Sequence, residues 1–409
     1  MSEYKKYEKN WICYALYGEN IKGGAEADLR NLVAQMRRRN IDVEVLTTCV
    51  AGPNSDWSKN VLPSGFKLEQ GIPVRRFLAD PRNAFEFAYV NSKLTGGQYI
   101  LSDEDERRFV EHSINSREMY RYIRDHANEY EAFGYIPYLF GTTYYGVMQC
   151  PQKAFLIPCF HDEPYAYLRN FRRVYSTAAG MAFHSEPEAS IAEKLYHTKN
   201  MELKIVGSGM DMDFDYDPQD FCNKYNIKEP FILYAGRKDH GKNVDTLILF
   251  FEKYIEKNVA DLKLLLIGGG DVDIPSKLKK QIIDLGYIDK QDKYNAYAAA
   301  NFLCQPSKNE SFSLVIMESW LCKRPVLVCE ECKVTTNFVR QAQGGLYFSD
   351  YTEFEKTVSY LLEHKDIAQK MGENGKRYVE SHFTWDKVIS DYCELIKGIT
   401  EKNEENSIC

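Results

Sequence analysis

The stretch Asn309-Glu310-Ser311-Phe312-Ser313-Leu314-Val315-Ile316-Met317-Glu318 sets two acids eight positions apart across a polar loop that passes into an apolar run. Ahead of it, Ala300-Asn301-Phe302-Leu303-Cys304-Gln305-Pro306 reads as a short buried strand stopped by a proline. Behind it, Leu314 to Leu321 meets no breaker until Lys323-Arg324-Pro325. The junction is therefore strand, loop, helix. A helix beginning near Ser311 or Ser313 leaves its first N–H groups unpaired and points the positive end of its dipole into the loop, and serine suits the capping position. Such an end binds phosphate. Glu310 lies just before the helix and Glu318 roughly 8 Å further along it, at about 1.5 Å per residue. The two acids thus bracket the space of a diphosphate and accept from sugar hydroxyls on either side of one. Spacing alone leaves the plainer alternative, two solvated helix acids, open.

Working upstream, Phe231-Ile232-Leu233-Tyr234-Ala235-Gly236-Arg237-Lys238-Asp239-His240-Gly241-Lys242-Asn243 is a buried strand that ends in a glycine and two cations, Arg237 and Lys242, five positions apart. Leu264-Leu265-Leu266-Ile267-Gly268-Gly269-Gly270 is a second strand with a glycine-rich exit, and Leu285-Gly286-Tyr287-Ile288 follows it. In this order the motifs resemble the retaining nucleotide-sugar glycosyltransferases of family 4 (glycosyl transferases group 1). That resemblance covers most of the chain and is strongest from about Phe231 to Val328.

The first half repeats the strand-to-helix pattern. Trp11 to Leu16 reads as a strand. Tyr17 to Glu26, with the pair Gly23-Gly24, is a turn into a helix whose apolar positions Leu29, Leu32, Val33 and Met36 fall at helical spacing, and Val43 to Leu46 is the next strand. Strand, helix, strand implies a parallel sheet. Residues 77–130, rich in charge and aromatics, read as helices packed on it. Ala154 to Pro158 is a buried strand leading to Cys159-Phe160-His161-Asp162-Glu163-Pro164, at the sheet edge where α/β folds place ligands. His161 is the candidate there. His184, before Ser185-Glu186, comes second, with shaping the cleft as its alternative role. Ile205 to Asp211 reads as the crossover between domains, and Thr384-Trp385-Asp386 opens a terminal helix.

At 409 residues, 44% hydrophobic and 27% charged, the chain has the composition of two globular domains, and no apolar run nears the ~20 residues of a membrane span. The polar, lysine-rich start does not read as a signal peptide. Eleven cysteines, mostly in apolar segments, fit a reducing compartment, and Cys329-Glu330-Glu331-Cys332 lacks a second pair at zinc spacing. Residues 1–200 carry 25 basic and 25 acidic side chains and the remainder 27 and 34, which argues against nucleic acid as a partner. The basic clusters Arg37-Arg38-Arg39 and Arg169 to Arg173 read as solvated helix faces, with an anionic lipid surface as the open alternative. Asp271-Val272-Asp273 reads as loop acids rather than a metal motif.

The resemblance implies a GT-B fold of class α/β, two Rossmann-like domains with parallel sheets facing across a cleft. Residues 1–205 would form the acceptor-side domain, with a helix at about 385–400 packing back on it. Residues 206–384 would bind the nucleotide-sugar, and 401–409 would be a frayed polar tail. It further implies a retaining, metal-independent hexosyltransferase, with no cofactor, that moves sugar from a nucleotide-sugar to a glycan or lipid-linked acceptor. A cytoplasmic place in surface polysaccharide biosynthesis follows, with a peripheral contact at the inner membrane face left open. His161 and Glu310 would act on the transferred sugar. Gly23, Gly24, Arg237, Lys242, Tyr287, Ile288, Ser311, Phe312, Ser313, Leu314 and Glu318 would bind the donor. Within that set Glu318 takes the ribose hydroxyls and backbone near Tyr287-Ile288 the base. The family commonly has Glu-Gly where this chain has Glu310-Ser311, which shifts the loop and the sugar preference. A sugar-nucleotide epimerase, a phosphorylase and a catalytically silent GT-B scaffold remain as alternatives.

Overall fold

The computed structural model describes residues 10–18, 21, 24–258 and 261–408, and the chain divides into two compact units. Met1–Gly209 with Trp385–Cys409 forms the first and Met210–Thr384 the second.

The first unit is built on strands β1 (Asn10–Tyr14), β2 (Val43–Thr48), β3 (Gly65–Glu69), β4 (Ile72–Phe77), β5 (Phe133–Ile136), β6 (Ala154–Leu156), β7 (Gly180–Phe183) and β8 (Glu202–Ile205). They form one sheet in the order β3-β4-β2-β1-β5-β6-β7-β8, parallel except for the hairpin pair β3 and β4. Parallel strands are covered on both faces, so their sequences run apolar rather than alternating; β5 and β7 are buried at every position. Ile12, Tyr14, Val45 and Phe155 face one layer, and Cys13, Leu46, Phe133 and Leu156 the other. Helix α1 (Gly24–Arg38) inserts Leu29, Leu32, Val33 and Met36 into the first of these layers. Helix α2 (Glu186–Leu195) starts on Ser185, whose hydroxyl accepts from the Glu188 N–H. The helices expected within residues 77–130 are present as Ala84–Thr95, Asp103–Glu111 and Arg117–Asp125.

The C-terminal helix, Trp385–Ile408, buries Val388, Ile389, Tyr392, Ile396 and Ile399 in the α1 layer. Its last turns correct the expectation of a frayed tail, since residues 401–408 stay helical. No Gly or Pro interrupts them, and Lys402 reaches Glu202 at 2.6 Å while the Asn403 amide donates to the Gln152 carbonyl at 2.7 Å.

The second unit carries β9 (Phe231–Ala235), β10 (Lys263–Ile267), β11 (Ile282–Gly286), β12 (Phe302–Gln305), β13 (Val326–Cys329) and β14 (Gly345–Phe348) in a wholly parallel sheet of order β11-β10-β9-β12-β13-β14. Phe231, Leu233 and Ala235 enter one core with Trp320 and Ile316, while Ile232 and Tyr234 enter the other with Leu247 and Phe251. The helices used below are α3 (Val244–Asn258), α4 (Lys290–Ala299), α5 (Leu314–Leu321) and α6 (Lys365–His382).

The exits of β9, β10 and β11 are joined backbone to backbone. Gly236 N–H donates to Ile267 at 3.0 Å, Lys238 N–H to Gly269 at 2.7 Å and Gly268 N–H to Gly286 at 2.8 Å. Gly268 has φ +121°, and a Cβ there would stand 2.0 Å from the Gly236 carbonyl oxygen. A side chain is excluded by conformation and by space. We expect Gly268→Ala to destabilise the second unit by about 3 kcal/mol or more, read as a lowered urea midpoint; an unchanged midpoint would show that the three exits do not depend on this contact.

Candidate active site

In open α/β sheets ligands bind beyond the carboxyl ends of strands, where the strand order reverses. In the second unit the chain lays β10 and β11 to one side of β9 and then returns to place β12 on the other. Both long polar motifs leave from these two strands. After β9, the Asp239 carboxylate accepts the Lys242 N–H at 3.0 Å and closes the turn His240–Lys242. Asn243 follows in left-handed conformation, φ 57°, and its amide donates to the Pro306 carbonyl at 3.0 Å, tying this loop to the one after β12. The two loops then meet through charge. Lys242 Nζ lies 2.7 Å from Glu310 Oε1, which also accepts from the Gln305 amide at 3.2 Å. Lys242 and Glu310 are both largely shielded from water, so each fixes the other. Arg237 behaves differently: its side chain is 68% exposed and lies 3.5 Å from Asp239.

Helix α5 begins at Leu314, but the expected serine cap is not formed. Ser313 has φ 82° and ψ 78°, makes no capping bond, and its Oγ is buried without a hydrogen-bond partner. A capping side chain needs extended backbone to reach the N–H groups two and three residues on. The left-handed turn at Ser313 forgoes that geometry and leaves the first turn of α5 without a side-chain acceptor. Phe312 packs its ring against Phe338 and Phe383 in the core, so only its backbone is left to face a ligand. Ser311 and Leu314 are half-buried beside it.

Glu318 is held from α4 by Lys293 Nζ at 2.5 Å and the Tyr297 hydroxyl at 2.9 Å. Burial, then the Glu318 charge, push the Tyr297 phenol well above its ordinary pKa, so it remains a donor to that carboxylate. Tyr287 stands 64% exposed beyond β11, with its hydroxyl against Gly269, where a Cβ would come within 2.4 Å of it; Ile288 packs on the core. Sequence spacing gave no sign of Lys293, Tyr297 or Gln305, because each reaches its glutamate from a different element. Lys238 was also hidden: it is 4% exposed and paired with Asp284 at 2.5 Å. Asp271 and Asp273 lie exposed in the loop after β10. Among the described residues no group of three or more His, Cys, Asp or Glu is placed to hold a metal ion.

In the first unit the strand order reverses between β1 and β5, and the glycine turn leaves β1. Gly23 lies outside the described residues. Gly24 opens α1, and among the described residues no atom lies within 4 Å of where a Cβ would stand. His161 is partly exposed, its Nδ1 3.4 Å from Glu163 Oε1, and the Tyr138 hydroxyl donates to that same oxygen at 3.2 Å. His184 is instead buried, 3% exposed, with Nε2 3.2 Å from Asp28 Oδ2 and Nδ1 3.6 Å from Glu188 Oε2. The Ser208 hydroxyl donates to the other Asp28 oxygen. Glu188, fully buried, accepts from the N–H groups of Phe160 at 2.8 Å and His184 at 2.6 Å. This cluster therefore fixes the backbone next to His161, and His184 is one of its structural members.

Residues 217–378 match the family model described as Glycosyl transferases group 1. That match falls within the second unit. In sequence the chain is similar to trehalose synthase of Thermococcus litoralis, 28% identical over 221 residues, which is 49% of this chain and 50% of that protein. The chain thus spans about half the length of that curated relative. In structure it is similar to sucrose-phosphate synthase from Thermosynechococcus elongatus, with TM-score 0.71 at 17% identity over 96% of this chain and 100% of that one. It is also similar to Anabaena HepE in complex with UDP-glucose, with TM-score 0.65 at 16% identity over 98% and 100%. The fold is GT-B, two parallel-sheet α/β units. The Gly236–Glu318 motifs, Lys242 and Arg237 among them, all lie within the matched residues 217–378.

The buried cluster in the first unit makes stability pH-dependent. Burial opposes a charge on His184, but hydrogen bonds to Asp28, Cys159 and Glu188 overcome it and raise its pKa well above 6.5. Since the folded-state pKa exceeds the unfolded one, this contribution is complete below about pH 6.5 and is lost as pH rises through the folded value. We expect the wild-type chain to lose its Tm advantage over His184→Asn on going from pH 6 to pH 9; a constant difference between the two would show that His184 is neutral throughout.

Proposed function

We propose that the chain is a retaining, metal-independent glycosyltransferase that moves a sugar from a nucleotide-sugar donor to a glycan or lipid-linked acceptor. The observation that carries this reading is the join of the β9 and β12 exits by Lys242 and Glu310, just ahead of an α5 terminus that has no side-chain cap. A helix end with free N–H groups beside a lysine, and Arg237 on the same loop, is a site for the charge that grows on a leaving diphosphate. These groups supply the positive charge that a metal supplies in other transferases. Glu318 accepts from ribose hydroxyls, its carboxylate already oriented by Lys293 and Tyr297. Glu310 accepts from hydroxyls of the donor sugar once Lys242 turns toward phosphate. Backbone at Tyr287 and Ile288 takes the base. His161 orients the transferred sugar, an assignment that rests on the resemblance. Retention follows from front-face attack, with donor phosphate taking the acceptor proton.

UDP-glucose in the HepE structure supports a nucleotide-sugar as the donor. The proposed setting is surface polysaccharide assembly in the cytoplasm, and no helix among the described residues is long and apolar enough to cross a membrane. The arginine clusters give a peripheral membrane contact little support, because Arg37, Arg39 and Arg169 already hold Asp42, Asp386 and Glu106.

A thermal-shift screen of UDP, GDP, ADP and dTDP with their common sugars, with and without Mg²⁺, tests the proposal, since a ligand that binds only the folded state raises Tm. One nucleotide class should raise Tm to the same extent with and without the metal; no shift with any at millimolar concentration would sink the reading. With the responding nucleotide, Glu318→Gln is expected to weaken binding about tenfold, because a neutral amide accepts less strongly than a carboxylate. The same affinity in the variant would remove Glu318 from the site.

A further inference from the structure

At the other edge of the second unit's sheet, where β12 and β13 begin, lies a cavity of about 400 Å³. It is lined by Lys323, Arg324 and Lys365 together with Tyr216, Asn301 and Gln369, and no carboxylate is among its lining residues. Among the described residues none of these three cations has an acidic side chain as ion-pair partner. The arginine is rigidly presented. Its N–H donates to the Ser319 carbonyl at 3.0 Å, and the Ser319 hydroxyl donates to its carbonyl at 3.2 Å. Lys323 precedes it in left-handed conformation, φ 57°, with its carbonyl pressed against Gly372 of α6 so closely that a Cβ there would stand 2.1 Å away.

The guanidinium is only partly satisfied. Nη2 donates to the Ala298 carbonyl near the end of α4, while Nε is shielded from water and has no hydrogen-bond partner. Burial, the first cause, lowers the Arg324 pKa, with Tyr216 and Cys322 opposing. A buried donor of a charged group left without an acceptor costs free energy, and an anion that accepts from it offsets the cost. Helix α6 adds to the field: it is 18 residues long, opens at Lys365 on the cavity, and has no side-chain cap at its first turn. A planar guanidinium with two flanking ammonium groups matches the shape and charge of a phosphoryl group, whose oxygens accept from all three.

We propose that this cavity is a second anion site that takes a phosphate monoester or inorganic phosphate, on Arg324, Lys323 and Lys365, apart from the Lys242 region. It lies at the amino ends of the strands, whereas Lys242 and Glu310 lie beyond their carboxyl ends. The proposal does not depend on the glycosyltransferase reading.

Isothermal titration of the full chain with inorganic phosphate and with glucose 6-phosphate, at constant ionic strength and against chloride, tests it. A background carrying both Arg237→Gln and Lys242→Gln removes the two cations that face phosphate at the other site. In that background saturable binding of at least one probe should persist, and adding Arg324→Gln should weaken it tenfold or more. Because Arg324 also holds Ala298, a second variant guards against a folding failure. Lys323→Gln with Lys365→Gln changes exposed side chains only and should weaken binding by a similar factor. No saturable binding in the background lacking both Arg237 and Lys242, or affinity unmoved by the Lys323→Gln with Lys365→Gln change, would overturn the proposal.

Discussion

The ion pair between buried Lys238 and the solvent-facing Asp284 joins the exits of β9 and β11 in the second unit. The lysine side chain is 2% exposed, and its ammonium lies 2.5 Å from a carboxylate oxygen that also accepts the Gly286 N–H at 2.9 Å. A charge that deep is tolerated only while its partner stays in place. The exits of β9 and β11 therefore cannot part without stranding it. The glycines make that closeness possible, since Gly268 and Gly270 place their backbones against the Gly236 and Lys238 carbonyls where no side chain would fit. With those exits fixed, Arg237 and Lys242 leave the sheet from a rigid edge.

The first unit solves the same problem with a buried histidine. His184 is buried among Asp28 of α1, Glu188 of α2 and Cys159 beyond β6, and Glu188 spends its two oxygens on backbone N–H groups of two strand exits. Loops that would otherwise drift are held by a cluster whose members lose their partners if any one of them moves. Rigid support of this kind lets exposed groups such as His161 keep a defined position. In each unit a more exposed group, Arg237 in the second and His161 in the first, follows a strand exit that buried charges such as Lys238 and Glu188 hold in place.

Much of this was legible in the chain. The apolar runs Phe231 to Ala235 and Leu264 to Ile267 announce strands covered on both faces, and the glycines after them announce tight exits. The break before Leu314 announces the helix of the site. What periodicity missed was direction and partnership. Ser313 has the chemistry of a cap but a left-handed backbone, and a local preference of about 1 kcal/mol yields when tertiary packing, here Phe312 anchored on Phe338 and Phe383, sets the path of the loop. The polar end after Glu401 looked frayed, yet its contacts with Glu202 and Gln152 extend the helix.

The sequence by itself determined the two parallel-sheet units and the placing of Arg237, Lys242, Glu310 and Glu318 on strand exits and a helix start, because burial pattern and turn chemistry act over a few neighbouring residues. Only the tertiary structure decided which of them are paired. Lys242 meets Glu310 across 68 positions, Glu318 meets Lys293 and Tyr297 from a separate helix, and Lys238 meets Asp284 across 46. Such pairings depend on strand order, which brings β9 beside β12, and on the low-dielectric interior that makes an unpaired charge costly. Neither is written in local spacing.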